Sequence, residues 1–476
     1  MDSKERIAAA LKVATDTKAF EMGQGVLGMA AEVYNRFFEG RKAVVVADIN
    51  TWPAAGERVF ANLKEAGVDA DCYIIDKKEF HAEWKYIEMV DKIVEGDYAA
   101  AKAIEDDTDH VEADAEQAFK PFDASNRVLV SVGSGVINDL CKLCSHHHAQ
   151  SYLTFPTAAS VDGYSSFGAS ISYQNSKQTF SCPAPVAIVA DIDVIAAAPK
   201  QMTGAGYADL AAKIPAGAEW MIADFMGTEP IVPEAWHMLQ DVLDSQLSNP
   251  EGVAAGEPQA IADLFEGLTL SGFAMQAARS SRPASCCDHL FSHILDMTHH
   301  RFNGKLQSHG DQVAIGTLTM CAVFDKFLTY DLTDIDVDAC VAAWPTLEQE
   351  QQRALDIFRE FPAPDLGYTQ ITQKYLGADV VRDRLTALRS EWPALREKLA
   401  GQVYSFRKMQ DLFKAAGSPY DPAQIGVTRQ MLKDMFPKVQ LMRYRFNLLD
   451  LSKMLGIYDE LAESVFADGA AWDLNA

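Results

Sequence analysis

The sequence predicts an α/β amino-terminal half followed by an all-helical carboxy-terminal half, and three observations carry that reading. Short, continuous apolar runs alternate with amphipathic helical patterns over the first 200 residues. One such run leads straight into the turn Gly133-Ser134-Gly135, and a helical pattern follows. From Pro199 onward, strand-like runs give way to helical periodicity. Alternation of this kind builds parallel sheets with crossover helices, whereas uninterrupted 3.6-residue periodicity builds helical layers.

In chain order, residues 1 to about 40 read as helical. Val44, Val45 and Val46 then form a run that ends at Asp48, as expected of a strand buried on both faces. AAGERVFANLKEAG is an amphipathic helix closed by Gly67, and DCYIID is the next strand. The acid-rich run EDDTDHVEADAE reads as a solvated face or loop. A strand from Val128 to Val132 enters the GSG turn, SYLTFP is a further strand, and PVAIVADIDVI closes the α/β half. The domains expected are therefore residues 1–200 and 201–476.

Composition excludes several classes of function. Acidic residues outnumber basic ones by 67 to 42, a formal charge of -25, which opposes the counterion release on which nonspecific nucleic-acid binding depends. The charged amino terminus does not read as a secretory signal, and no stretch approaches the roughly 20 apolar residues that span a bilayer. Eight scattered cysteines suit reduced thiols, so the expected location is the cytoplasm. Cys141 and Cys144 form a single CxxC within a helical pattern, and His146, His147 and His148 read as an exposed helix end.

The chemistry concentrates between Ser281 and Asp311. His289 and His293 are four residues apart and share a helix face, and His309 follows far enough along for a second helix to fold back. Upstream, Asp209 lies in GAGYADLAAK. One aspartate and two histidines make a three-ligand set with an open position, the pattern of a catalytic metal, and nitrogen and oxygen donors suit zinc, nickel, iron or manganese. At the GSG turn, glycines permit close approach of a ligand and the helix start offers N–H groups to a phosphate. The full dinucleotide fingerprint is incomplete, because Asn138 stands at the third glycine position. Pro156, Thr157, Ser160 and Asp162 form a polar loop at a strand's carboxyl end, where open α/β sheets bind ligands.

Taken together, VVVADINTW, SVGSGVINDLCK, FPTAASVDGYSS, GAGYADLAAK, SRPASCCDHLFSH and SHGDQVAIGTL resemble the sn-glycerol-1-phosphate dehydrogenase family, within the iron-containing alcohol dehydrogenase and dehydroquinate synthase superfamily. The resemblance implies a Rossmann-like cofactor domain, an all-α second domain and an active site in the cleft between them. It implies Asp209, His289 and His309 as ligands of one divalent metal (zinc, nickel or iron). Gly133, Ser134 and Gly135 would meet the pyrophosphate of NAD(H) or NADP(H), with Asp139 and Lys142 behind. Asp48, Thr51, Thr157 and Ser160 would line the cofactor site, with Asp162 near the nicotinamide. The reaction implied is interconversion of dihydroxyacetone phosphate and sn-glycerol 1-phosphate, with Asp162 or His293 close to the proton transfer.

Lys213, Arg282, His293 and Lys177 are the cations expected to meet the substrate phosphate. A homodimer or larger homo-oligomer is expected, as is a phosphorylated triose or polyol as substrate. Asp76, at the end of the second strand, favours NAD, while Lys77 and Lys78 directly after it could accept the 2′-phosphate of NADP. Three alternatives are a dehydrogenase of another polyol or sugar phosphate, a dehydroquinate synthase-like lyase that uses NAD catalytically, and a sensor that has lost turnover. The sequence departs from the family pattern at Cys286, Cys287 and Asp288, where a small residue and then glutamate are usual before the first ligand histidine, and at Ile214, Pro215 and Ala216.

Overall fold

The computed structural model describes residues 2–115, 126–174 and 176–475, with the backbone alone at Ser176 and Lys177. Two compact units divide them: Met1–Leu210 with His237–Ser280, and Ala211–Trp236 with Ser281–Ala476.

The first unit is built on a six-stranded, fully parallel sheet. In chain order the unit's strands are β1 (Ala19–Gly23), β2 (Lys42–Asp48), β3 (Ala70–Ile75), β4 (Arg127–Gly133), β5 (Leu153–Pro156), β6 (Ala169–Tyr173), β7 (Ser176–Phe180) and β8 (Ala187–Asp191). Across the sheet the order is β1-β8-β5-β4-β2-β3, while β6 and β7 form a separate antiparallel hairpin. The valine run of β2 shows why continuous apolar sequence marks a central strand. Val44 and Val46 enter one core, and Ala43, Val45 and Ala47 enter the core on the opposite face.

Three local expectations are corrected. The amino-terminal 40 residues are not all helical, because Ala19–Gly23 is the edge strand β1, paired with β8. A five-residue edge strand has little pattern of its own, and pairing supplies what local propensity lacks. The stretch SYQNSKQTF contributes to the β6–β7 hairpin. His147 and His148 are buried at the end of the helix Gly135–His147, where both face the buried carboxylate of Asp91. The acid-rich run extends to residue 116, which lies outside the described residues, and its first member, Glu105, is buried where it accepts from Tyr73 Oη and Asp76 N–H.

Helical periodicity also misjudges which core a helix joins. The helix Pro258–Ala278 belongs to the first unit: Leu270 and Phe273 pack with Ile7, Ala10 and Ile188, Glu266 pairs with Arg6 at 2.6 Å, and Gln276 donates to Thr17 and Ser165. Among the described residues, the second unit is helical apart from a hairpin of two-residue strands, Arg301–Phe302 with Lys305–Leu306. Among the described residues, no helix is long and apolar enough to cross a membrane.

Candidate active site

In the first unit, the strand order reverses direction between β2 and β4, and ligands of open parallel sheets bind at such a switch point, beyond the strands' carboxyl ends. Asp48 ends β2, and Gly133 ends β4. Asp48 Oδ1 accepts from the N–H groups of Asn50 (2.7 Å) and Thr51 (2.8 Å), and Thr51 Oγ1 accepts from Asp48 N–H (2.9 Å). These two side chains lock one another into the turn that leaves the strand.

At Gly133, a Cβ would fall 2.6 Å from Ile137 Cγ1, so glycine is required by the way the next helix returns over the strand. Ser134 caps that helix with its backbone alone, and its side chain makes no cap bond. Ser134 therefore leaves the first-turn amides without a side-chain cap, and such helix starts suit a phosphate. Asn138, in place of the third fingerprint glycine, ties the helix to a neighbouring loop and strand. Its Nδ2 donates to Gly163 O (3.1 Å), and Tyr152 Oη donates to its Oδ1 (3.0 Å). Lys142 is buried and donates to Gly163 O (2.7 Å) and Gly168 O (3.0 Å), and Asp139 accepts from Ser170 N–H (3.2 Å). Asp139 and Lys142 therefore anchor the loop that carries Asp162.

Thr157 and Ser160 are buried in the same loop system, with Ser160 Oγ 3.3 Å from Tyr164 Oη. Asp162 Oδ2 accepts from Ser271 Oγ (2.8 Å), while its own N–H donates to Asp209 Oδ2 (2.9 Å). Asp209 is itself buried, near the end of the helix Lys200–Ala211. That helix lies against the loop at Gly206, where a Cβ would meet Ala159 O at 1.9 Å. Within the first unit, then, the expected metal carboxylate and the expected nicotinamide-side aspartate form one hydrogen-bonded group.

In the second unit, His289 and His293 lie on the helix Cys287–Met297, and His309 starts the helix His309–Phe327, whose cap is Ser308 accepting from Asp311 N–H (3.1 Å). The helices meet where Gly316 faces Asp288, and a Cβ there would fall 2.0 Å from Asp288 O. This approach sets the ring centroids of His289 and His309 at 5.3 Å, and those of His293 and His309 at 6.3 Å.

The partners of the two closer rings fix their tautomers. Asp288 Oδ2 takes the Nδ1–H of His289 and holds its second oxygen on Cys286 N–H (3.1 Å). Ser292 Oγ gives its one proton to Gln312 Oε1 (2.7 Å), so at His309 Nδ1 (3.0 Å) it acts as acceptor. Both imidazoles then carry their lone pairs on Nε2, the arrangement in which histidine ligates a metal while an outer partner orients it. The donor chemistry present fits a divalent ion.

The expected phosphate-binding cations fare differently. Arg282 is buried, with Nη2 donating to Glu219 O (2.6 Å), Nη1 to Cys286 Sγ (3.1 Å) and Nε 3.5 Å from Glu229. Burial disfavours its charge, but Cys286, Glu229 and Glu219 outweigh that and hold it above the usual arginine range. Two of its nitrogens thus donate to groups of the protein interior. Lys213 is fully buried at the start of the helix Lys213–Phe225. Lys177 stands opposite Ser172 in the β6–β7 register, and its side chain lies outside the described residues. The CxxC thiols are also buried: Cys144 donates to Ile87 O, and burial pushes Cys141 up to about 12.

Residues 89–199 match the model of the iron-containing alcohol dehydrogenase family. A glycerol-1-phosphate dehydrogenase of Bacillus subtilis, NAD(P)+-linked by name, is 30% identical over 356 residues, covering 73% of this chain and 84% of its own. The chain belongs to the glycerol-1-phosphate dehydrogenase family. A member from Pyrococcus horikoshii is 34% identical over 299 residues, 63% of this chain and 76% of that one. Among solved structures, a probable glycerol dehydrogenase from Sinorhizobium meliloti superposes with a TM-score of 0.56 at 16% identity, covering 94% of this chain and 98% of that one. An iron-containing alcohol dehydrogenase from Corynebacterium glutamicum gives 0.53 at 14% identity, covering 97% and 98%. These likenesses show the shared fold.

Against the family pattern, the residues that sequence reasoning passed over are the partners of the expected ligands. Ser292 and Gln312 each lie three residues after a ligand histidine, hence on the same helix face, and that spacing is the signal that could have found them. Asp288 was legible only as a departure from glutamate. Ser271 has no local signal, because its link to Asp162 spans 109 residues.

Proposed function

We propose that this chain is a metal-dependent, NAD(P)H-linked dehydrogenase that interconverts dihydroxyacetone phosphate and sn-glycerol 1-phosphate. The observation that carries the reading is the pair His289 and His309, each with Nδ1 engaged so that Nε2 is the basic nitrogen, in a member of the glycerol-1-phosphate dehydrogenase family. In this reading, Asp209, His289 and His309 hold one divalent ion, of which zinc, nickel and iron all suit the donors. Bound there, the ion supplies Lewis acidity to the substrate carbonyl.

This chain's own residues do the rest. The first-turn amides after Ser134 receive the cofactor pyrophosphate, and the Asp48–Thr51 turn and the Thr157–Ser160 loop shape the space for its nucleoside and nicotinamide ends. Asp162, held by Ser271, orients a substrate hydroxyl, and His293 passes a ring proton to the substrate oxygen as hydride arrives at carbon. Asp76, exposed after β3, favours a free ribose hydroxyl and so NAD(H). The enzyme acts in the cytoplasm as a homo-oligomer, an assembly that sedimentation would reveal.

The test is NADH oxidation by chelator-stripped protein reloaded with zinc, nickel or iron, using dihydroxyacetone phosphate beside dihydroxyacetone. Metal-dependent turnover with the phosphate ester is expected. Equal turnover of both ketones, or turnover that survives stripping, would remove the assignment.

A further inference from the structure

The segment Met442–Asn447 links the helix Arg429–Leu441 to the helix Leu448–Met454 and carries two arginines, two residues apart. Arg445 is committed to its surroundings. Its Nη2 donates to Ser281 Oγ (2.9 Å), its Nη1 to Ser285 O (3.4 Å), and its Nε lies 4.0 Å from Glu229. Those contacts fasten the segment to Ser281–Cys286, which runs directly into the helix bearing His289.

Arg443 is half-buried, and among the described residues its guanidinium has no hydrogen-bond acceptor and no carboxylate within ion-pair distance. Burial and the neighbouring Arg445 both oppose its charge and hold it below the usual arginine range. Arginine does not escape such a position by losing its proton at neutral pH, so an anion is what relieves it. A chain with 67 acidic side chains has placed none of those described against this one. The planar fork of a guanidinium matches two oxygens of a phosphate. Arg282, one of the four cations that the sequence suggested, donates to Glu219 O and Cys286 Sγ.

We propose that Arg443 binds the phosphate group of the substrate, a small phosphate ester, while Arg445 holds the segment in place. The identity of that ester rests on the glycerol-1-phosphate reading; the anion site itself does not. The experiment is calorimetric titration of the metal-loaded protein with inorganic phosphate, with steady-state kinetics on dihydroxyacetone phosphate alongside. In Arg443→Gln, phosphate affinity should fall about 10- to 100-fold, as loss of a charge-assisted pair predicts, with the kinetic effect on KM rather than kcat. Unchanged phosphate affinity in folded Arg443→Gln would overturn the site. If that variant does not fold, Arg443→Lys carries the same test, since losing the fork should weaken phosphate several-fold. Weakened phosphate binding with an unchanged KM would overturn the link to substrate. Phosphate binding that depends on Arg443, in a parent protein with no turnover of the triose phosphate, would leave the site standing and remove the glycerol-1-phosphate reading instead.

Discussion

Two clusters of metal-binding side chain types lie within a few residues of each other in the second unit, and they are built to opposite ends. One is the pair His289 and His309. The other is Glu219, Cys286 and Cys287, whose donor atoms all lie within 4.8 Å of one another in the buried interior. Donor types alone do not rank the two. Their surroundings do. Glu219 accepts from Cys287 N–H (3.0 Å) and Leu448 N–H (3.1 Å), and the Arg282 guanidinium sits 3.1 Å from Cys286 Sγ, where it supplies the positive charge a metal would bring. Burial pushes Cys287 well above the usual thiol range, against formation of the thiolate a metal needs. At the histidines, Asp288 and the Ser292–Gln312 pair instead prepare both lone pairs for coordination. Neighbours, more than donor types, decide which cluster serves chemistry and which serves the fold.

Breaking each cluster should therefore produce different losses. The largest effect is expected from His309→Ala: bound metal disappears by elemental analysis, and activity falls by more than the roughly 100-fold that loss of an outer partner costs. Glu219→Gln, by contrast, should retain the parent's metal content, and metal lost to the same extent in both variants would erase the distinction. Arg282→Ala should act on stability, costing about 3–5 kcal/mol in denaturant unfolding because it leaves buried acidic groups without their cation. A small change there would mean that the ion cluster does not hold the fold.

The finer effects sharpen the comparison within the histidine pair. Asp288→Asn should weaken metal affinity about 10- to 100-fold in competition with a chelator, with Asp288→Glu recovering part of it. Ser292→Ala should do less, because a neutral hydroxyl orients His309 where a carboxylate orients His289. Equal losses would show that orientation, and not ligand basicity, is what the partners contribute.

Much of the first unit was legible because its determinants are local. The Val44–Val46 run, the Val128–Val132 run and the GSG turn carry their strand and turn identities in consecutive residues. Edge strand β1 and the β6–β7 hairpin were not legible, since pairing decided them. The helix Pro258–Ala278 reads as a helix from its periodicity, yet its place in the first unit depends on partners such as Ile7, Ala10 and Ile188, far away in sequence.

For the site, the sequence by itself determined the chemistry: histidines at helical spacing, an aspartate in a glycine-rich helix, and a turn that offers amides to phosphate. Tertiary structure alone decided what those groups can do. Gly316 brings the two histidine helices together, Asp288 and Ser292 choose the ring tautomers, and Arg282 goes to the interior while Arg443 is left without a carboxylate. The physical reason is that a residue's type sets which bonds it can make, while its charge and lone pairs are spent on whichever atoms folding places beside it.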